Sequence, residues 1–249
     1  MKAALLPLIL LLAAAPVHAQ SVKIATEAAY PPFNFFDSAG NFAGYDVDVG
    51  NEICKRAALQ CTWVVNEWAS IFTNMDAGNY DAIMADVTID DERKKTMDFS
   101  VPYFPPDPSL YLHLASKPIN FDKLEGYRIG VQGSTVQASW LGLNEQDNTI
   151  LTYGTTDQAL ADLSAGNIDL MIAEGSYVRE TEVGAKGALA ADGPPVPIGD
   201  GAAVAFRKSS EELRQKFDAA IEAMRADGTI DALIKKWFPE MGAGPYFPQ

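Results

Sequence analysis

"AGNYDAIMAD" occupies positions 77–86, and "AGNIDLMIAE" occupies positions 165–174. Ala, Gly, Asn, one variable residue and Asp recur, followed by three apolar residues, Ala and a carboxylate. Gly78 and Gly166 suit the left-handed conformation that stops a helix. Asn79 and Asn167 suit the turn that follows, and Asp81 and Asp169 each open a four-residue apolar strand. Each copy therefore reads as helix end, turn, buried strand, acid. Asp86 and Glu174 fall just past the C-terminal ends of two equivalent strands. In open parallel sheets, ligands bind at that edge. If two units face each other there, the acids reach one cleft from opposite walls. The competing reading is chance: helix-Gly-strand is a common phrase, and an acid after a strand is usually solvated.

Outward from the repeat, short β-like runs alternate with helical ones. "VKIAT" (22–26), "CTWVV", "SLYLHLA" (109–115), "RIGV", "TILTY" and "AVAFR" read as strands. Tyr45 to Ala58, "WASIFTNMDAG", the short "DDERKKTM", the run after "GST", "DQALADLSA", a helix to Asp227 and Thr229 to Phe238 read as helices. Thr155 with Gln158, and Ser209 with Glu212, have the spacing of capping boxes. The alternation predicts an α/β fold with largely parallel sheets. Pro-rich "PYFPPDP" (102–108) and Gly/Pro-rich "DGPPVPIGDG" (192–201) bracket the middle. The expected division is a discontinuous first lobe, 20–106 plus 201–249, with a second lobe, 107–200, inserted in it. Two chain crossings then form a hinge.

The chain has 249 residues, 48% of them hydrophobic, enough for two cores of about 100 residues each. Lys2, the apolar run Ala3 to Ala15 and the small-residue site Val17-His18-Ala19 read as a signal peptide, residues 1–19. That run is too short to span a bilayer, so the mature chain is expected to be exported, without membrane insertion after cleavage. Net charge is −14, from 33 acids and 19 bases, which argues against nucleic acid or an anionic membrane as partner. Cys54 and Cys61 would lie ~10 Å apart along an unbroken helix, beyond the ~7 Å that a disulfide allows. A bridge therefore requires the helix to end between them, as "AALQC" permits. Export makes the bridged state the expected one, with two buried thiols as the alternative. His18 and His113 are the only histidines, so no metal site is expected.

Other residues join the two acids. Thr88 and Arg93, at the start of a short helix, suit an anion clamp in which the guanidinium and free backbone N–H groups hold a carboxylate. The alternative is one charge in a solvated run. Gly133, Ser134 and Thr135 follow a strand and offer a second backbone-and-hydroxyl anion site, or only an ordinary turn. Glu27 and Tyr30 follow the first strand and Trp68 follows "CTWVV"; exposed aromatics there can stack a ligand, although such residues are more often core.

Together, "TEAAYPPFNF", "GYDVDVGNEICKRAALQCTW", "YDAIMADVTIDDERKKTMDFS", "GVQGST", "LSAGNIDLMIAE" and "FRKSSEELRQKFDAAIEAMRADGTIDALIKKWF" resemble the periplasmic amino-acid-binding proteins of ABC transporters, solute-binding protein family 3, of the lysine/arginine/ornithine- and histidine-binding type. The resemblance spans the mature chain. It implies two α/β lobes of the type II binding-protein fold closing about a two-stranded hinge. It also implies a monomer in the periplasm, an amino acid as ligand, a membrane permease as partner and no cofactor. By resemblance, Arg93 grips the ligand α-carboxylate with Thr88 and Thr135. Glu174 holds the α-ammonium, Tyr30 and Trp68 sandwich the side chain, and Glu27 meets a distal cation. The chain departs from the family pattern at Asp86 and Ala85, where serines are usual. Glu174 stands where Asp is usual, and "GVQGST" is one residue short.

Charge adds to the resemblance. Arg93 faces Glu27, Asp86 and Glu174, and buried charges need partners. Two surplus carboxylates point to arginine, lysine, ornithine, histidine or a larger derivative such as an opine. The same fold carries cyclohexadienyl and arogenate dehydratases, where Glu174 would serve as a general acid. No Ser–His or Cys–His arrangement is available, and no catalytic residue is expected in a binding protein.

Overall fold

A computed structural model describes residues 19–242 and 244–247. Met1 to His18, and with them nearly all of the expected signal peptide, lie outside the described residues. The elements run in order as β1 (Ser21–Thr26), β2 (Phe35–Phe36), β3 (Phe42–Ala43), α1 (Tyr45–Arg56), β4 (Gln60–Val65), α2 (Trp68–Asp76), β5 (Ala82–Ile83), α3 (Asp91–Thr96) and β6 (Met97–Phe99). Next come β7 (Leu110–Leu114), β8 (Arg128–Gln132), α4 (Val136–Asn144), β9 (Thr149–Tyr153), α5 (Thr156–Ala165), β10 (Leu170–Ala173), α6 (Gly175–Gly184) and β11 (Leu189–Ala190). The chain ends in β12 (Ala205–Arg207), α7 (Glu211–Ala226) and α8 (Thr229–Trp237).

Two five-stranded sheets result, ordered β4-β1-β5-β12-β6 and β11-β7-β10-β8-β9. Read from opposite ends, the orders match, and the repeated phrase supplies the central strand of each, β5 and β10. The repetition is therefore architectural. Gly78 and Gly166 take φ of 81° and 76°, which a side chain disfavours, and so turn each chain out of its helix into that strand. Four strands of each sheet run the same way, so the sheets are largely parallel, each with one reversed strand that makes it mixed. β12 runs against β5 and β6, and β7 runs against β10 and β11. These are the strands that follow the two crossings between the sheets. A strand arriving directly from the facing sheet enters at the opposed edge and runs away from it, whereas the others run toward it. Hydrophobicity along a short run carries no sign of direction.

Alternation along the strands explains the layers. In the first sheet Val22, Ile24, Ala82 and Met84 face α1, α7 and α8, packing on Val49, Ile53, Phe217, Ile221 and Ile234. Ala25, Ile83 and Ala85 face α2, against Ile71 and Met75. In the second, Ile129, Val131, Leu170 and Ile172 pack on Leu141 of α4. Met171 and Ala173 pack on the side of Leu163 in α5 and Val178 in α6. Each fully buried Ile or Leu stabilises the fold by roughly 1.5–3 kcal/mol.

The two crossings lie side by side. Ser109 and Val196 exchange backbone N–H···O bonds of 2.8 Å, and Ala202 bonds to Tyr103 and Phe104 at 2.9–3.3 Å. α1 stops at Arg56, which brings Cys54 and Cys61 to a Cα separation of 6.1 Å, and they are bridged. The Thr155–Gln158 capping box is present in both halves. The box at Ser209 is not: α7 starts after Ser210, which makes no side-chain cap. α6 had no sequence signal, because its buried face amounts to little more than Tyr177 and Val178.

Candidate functional site

Four of the strands that run toward the opposed edges deliver polar residues there. Glu27 follows β1, Asp86 follows β5, Gln132 ends β8, and Glu174 follows β10. Every residue singled out in the sequence for ligand binding except Gly133 and Ser134 lines one cavity, together with Gln132 and Gln137. It encloses about 350 Å³, counting the part open to solvent.

Among the described residues that line the cavity, Arg93 is the only basic one. Its guanidinium donates to the Thr88 carbonyl at 2.8 Å and the Ser134 carbonyl at 3.5 Å, and lies 3.4 Å from the Asp90 carboxylate. It rests 5.4 Å from the Trp68 ring centroid and 5.1 Å from that of Phe72, whose rings meet edge-on. This corner fixes the side chain, each cation–π contact contributing about 0.5–2 kcal/mol. The free backbone N–H groups expected beside Arg93 are not free. The Asp90 side chain caps α3 by accepting from the N–H groups of Glu92 and Arg93. Thr135 likewise caps α4 through the Ala138 N–H, and its hydroxyl donates to the Gln132 carbonyl at 2.8 Å. Ser134 faces outward, but its carbonyl accepts from Trp68 Nε1 at 3.2 Å, tying the two walls together. The guanidinium, rather than helix N–H groups, is thus what the cleft offers an anion.

Carboxyl groups dominate elsewhere. Glu27 accepts from Gln132 Nε2 at 2.7 Å, a second link between the walls. Burial pushes its pKa up to about 7, the Asp157 charge adding to the rise and the Gln132 bond opposing it. Asp86 is buried with φ of 50°, a strained value for a side-chain-bearing residue. Asp46, fully buried in the first turn of α1, pins it. Asp46 accepts from the Asp86 N–H at 3.0 Å, Asn34 Nδ2 at 2.8 Å and the Tyr103 hydroxyl at 2.7 Å. Asp86 and Glu174 meet across the cleft, and burial raises both pKa values. Behind Glu174, at the start of α6, Asp107 accepts from Ser176 and pairs with Arg179 at 2.7 Å.

The aromatics are nearly buried, the commoner of the two readings of the sequence, and still line the cavity. Tyr30 and Trp68 are 8% and 6% accessible, and Tyr30 stacks on Phe33 and, at 4.8 Å, on Tyr177. Gln132, Gln137, Asp46 and Tyr177 escaped the sequence reading. Gln132 ends the strand of "GVQGST", and Asp46 is a charge among the buried positions of α1, so both carried a signal. His113 lies elsewhere, 2.7 Å from Asp192. Among the described residues no three His, Cys, Asp or Glu side chains are arranged to hold a metal ion, and no helix is long and apolar enough to cross a membrane.

Comparison with known proteins gives the geometry a setting. Residues 22–240 match the family described as bacterial extracellular solute-binding proteins, family 3. The lysine/arginine/ornithine-binding periplasmic protein of Escherichia coli is 34% identical over 232 residues, covering 88% of each chain. The L-arginine-binding protein of Pseudomonas aeruginosa is 34% identical over 229 residues, 87% of each chain. Among solved structures, a periplasmic His/Glu/Gln/Arg/opine family-binding protein from Silicibacter pomeroyi in complex with lysine superposes with a TM-score of 0.83 at 39% identity. That superposition covers 90% of this chain and 99% of the other.

Proposed function

The chain belongs to family 3 of the bacterial extracellular solute-binding proteins, and on that premise we propose that it captures a basic L-amino acid and delivers it to the permease of an ABC importer. Arginine, lysine, ornithine and histidine are the candidates. The lobes are 20–106 plus 201–249, and 107–200, and the hinge is the paired crossings. One observation carries the reading: a single guanidinium, Arg93, faces Glu27, Asp86 and Glu174 in one cavity. A zwitterionic amino acid brings one cation and one anion, which would leave carboxylates unpaired in a buried place. A further cation on the ligand offsets that cost.

In this reading Arg93 holds the α-carboxylate, with Thr88 and Thr135 beside it. Glu174 and Asp86 take the α-ammonium. Tyr30 and Trp68 flank the aliphatic stem, and Glu27 meets the distal cation. Drawing binding residues from both walls lets the ligand stabilise the closed state, since it contacts both only when the hinge is shut. The protein works as a monomer in the periplasm of a Gram-negative cell. The names of the relatives support delivery over turnover, and the dehydratase alternative has no such support.

The test is calorimetric titration of the mature protein, unfolded and refolded to strip carried-over ligand, with the L-amino acids, ornithine and octopine. Each ligand is then recovered and checked for chemical change. Saturable binding of a basic ligand returned intact is expected. Tightest binding of glutamate or an aliphatic amino acid, or consumption of added arogenate, would sink the proposal.

A further inference from the structure

Asp86 Oδ1 is fully buried, and no N–H or O–H of the described residues reaches it. Its neighbour is the Glu174 carboxyl from the other wall. Two carboxyl oxygens make a hydrogen bond only when one carries a proton; two bare carboxylates in contact would repel. Asp46 holds the Asp86 backbone in place by its N–H, and the Asp86 side chain is buried there. Nor does a cation neutralise the pair. Arg93, from α3, is engaged by the Thr88 and Ser134 carbonyls and Asp90, and Arg179 of α6 is paired with Asp107.

From this geometry, and resting on the reading above, we infer that Asp86 and Glu174 hold one proton between them across the cleft and exchange it for the α-ammonium of the incoming amino acid. The ammonium, with three N–H donors, satisfies both carboxylates, and the displaced proton leaves to solvent. Cation replaces cation, so the buried charge of the pair stays constant.

Burial and the neighbouring acids favour the protonated pair, while the Arg179 charge opposes it at Glu174 and the Arg93 charge opposes it at Asp86. Asp46 in α1 and Asp107 in the first crossing are acids facing it, and Tyr30, Tyr45 and Tyr103 are neutral hydroxyls. Arg93 and Arg179 are the nearby cations, and each already has an acid. Burial and these acids raise both members of the pair, which titrates as a unit.

Titration of arginine into the stripped protein at pH 6.5, in phosphate and in imidazole, measures protons released through the buffer dependence of the heat. The expected release in the parent exceeds that of Asp86→Asn by about one proton per ligand. The amide introduced by Asp86→Asn donates to an ionised Glu174, so no shared proton is left to release; the variant loses one of the two carboxylates for the ammonium and binds arginine more weakly, and each titration is therefore run to saturation. Asp86→Ser gives a second variant without the proton, and circular dichroism checks that both fold. Over pH 5.5 to 7.5 the parent should gain affinity with rising pH, more steeply than either variant. Arginine binding with the same proton release in parent and variants, or with none in the parent, would overturn the exchange while leaving the proposed function standing. No heat with arginine, lysine, ornithine or histidine would overturn both.

Discussion

Arg93 shows how much a single residue can carry. The sequence placed it near an anion, and the structure adds why it is usable: Trp68, Phe72 and two carbonyls hold the guanidinium rigid before any ligand arrives. Its loss would strand a buried ligand carboxylate. Arg93→Ala should therefore weaken arginine binding by at least ~30-fold, from the 2–5 kcal/mol that breaking a buried charge pair costs. A change under about fivefold in calorimetry would place the carboxylate elsewhere. Asp46 was less legible. Nothing in "GYDVDVG" says that its first Asp is fully buried beneath a strained Asp86, although it falls among the buried positions of α1. As a residue that positions another, it has its own test. Asp46→Asn should lower thermal stability and blunt the pH dependence of ligand affinity, and Asp46→Ala should do both more strongly. An unaltered pH dependence in both would reduce Asp46 to packing.

Elements were legible where periodicity is long. α1, α2, α5 and α7 stand close to their expected positions, because an apolar stripe extends over several turns. α6 was not legible, since it buries only a narrow face and starts directly on the acid Glu174. Strand direction was hidden for a different reason: β7 and β12 are reversed by where the chain enters each sheet, a property of the whole path. The Cys54–Cys61 bridge belongs to this scale. It fastens the last turn of α1 to β4, just where Ala58 takes φ of 52°. By loop-closure entropy, removing it as Cys54→Ser/Cys61→Ser should cost about 2.5 kcal/mol in denaturant unfolding. The order of ligand preference should survive, as the bridge lies outside the cavity. A changed order would mean that the α1–β4 connection shapes the site.

At the scale of the molecule, four buried carboxyls at one cleft, Glu27, Asp46, Asp86 and Glu174, all have raised pKa values. A carboxyl raised on folding binds its proton more tightly in the native state. Its stabilising contribution is full below the unfolded value near 4.5 and is lost as pH rises through the folded value, about 7 for Glu27. Carboxylates held down by partners, such as Asp227 at about 2, have finished titrating by then. The stripped protein should therefore melt at a lower temperature at pH 8 than at pH 5, and a basic ligand should narrow the gap. A melting temperature that rises across that range would contradict the burial of these acids. The cleft itself was half written in the sequence. The repeated phrase located its two opposed acids, but the bonds between the walls, Glu27 to Gln132 and Trp68 to Ser134, join positions far apart along the chain, and no local pattern foretells them.

The most direct measurement compares arginine with citrulline, which keeps the shape but lacks the distal charge, by calorimetry at pH 8, where Glu27 is ionised. Arginine should bind at least ~30-fold tighter, the equivalent of about 2 kcal/mol for a buried charge left unpaired. Equal affinity for the two would contradict selection of a basic amino acid by the opposed carboxyl groups of this cleft.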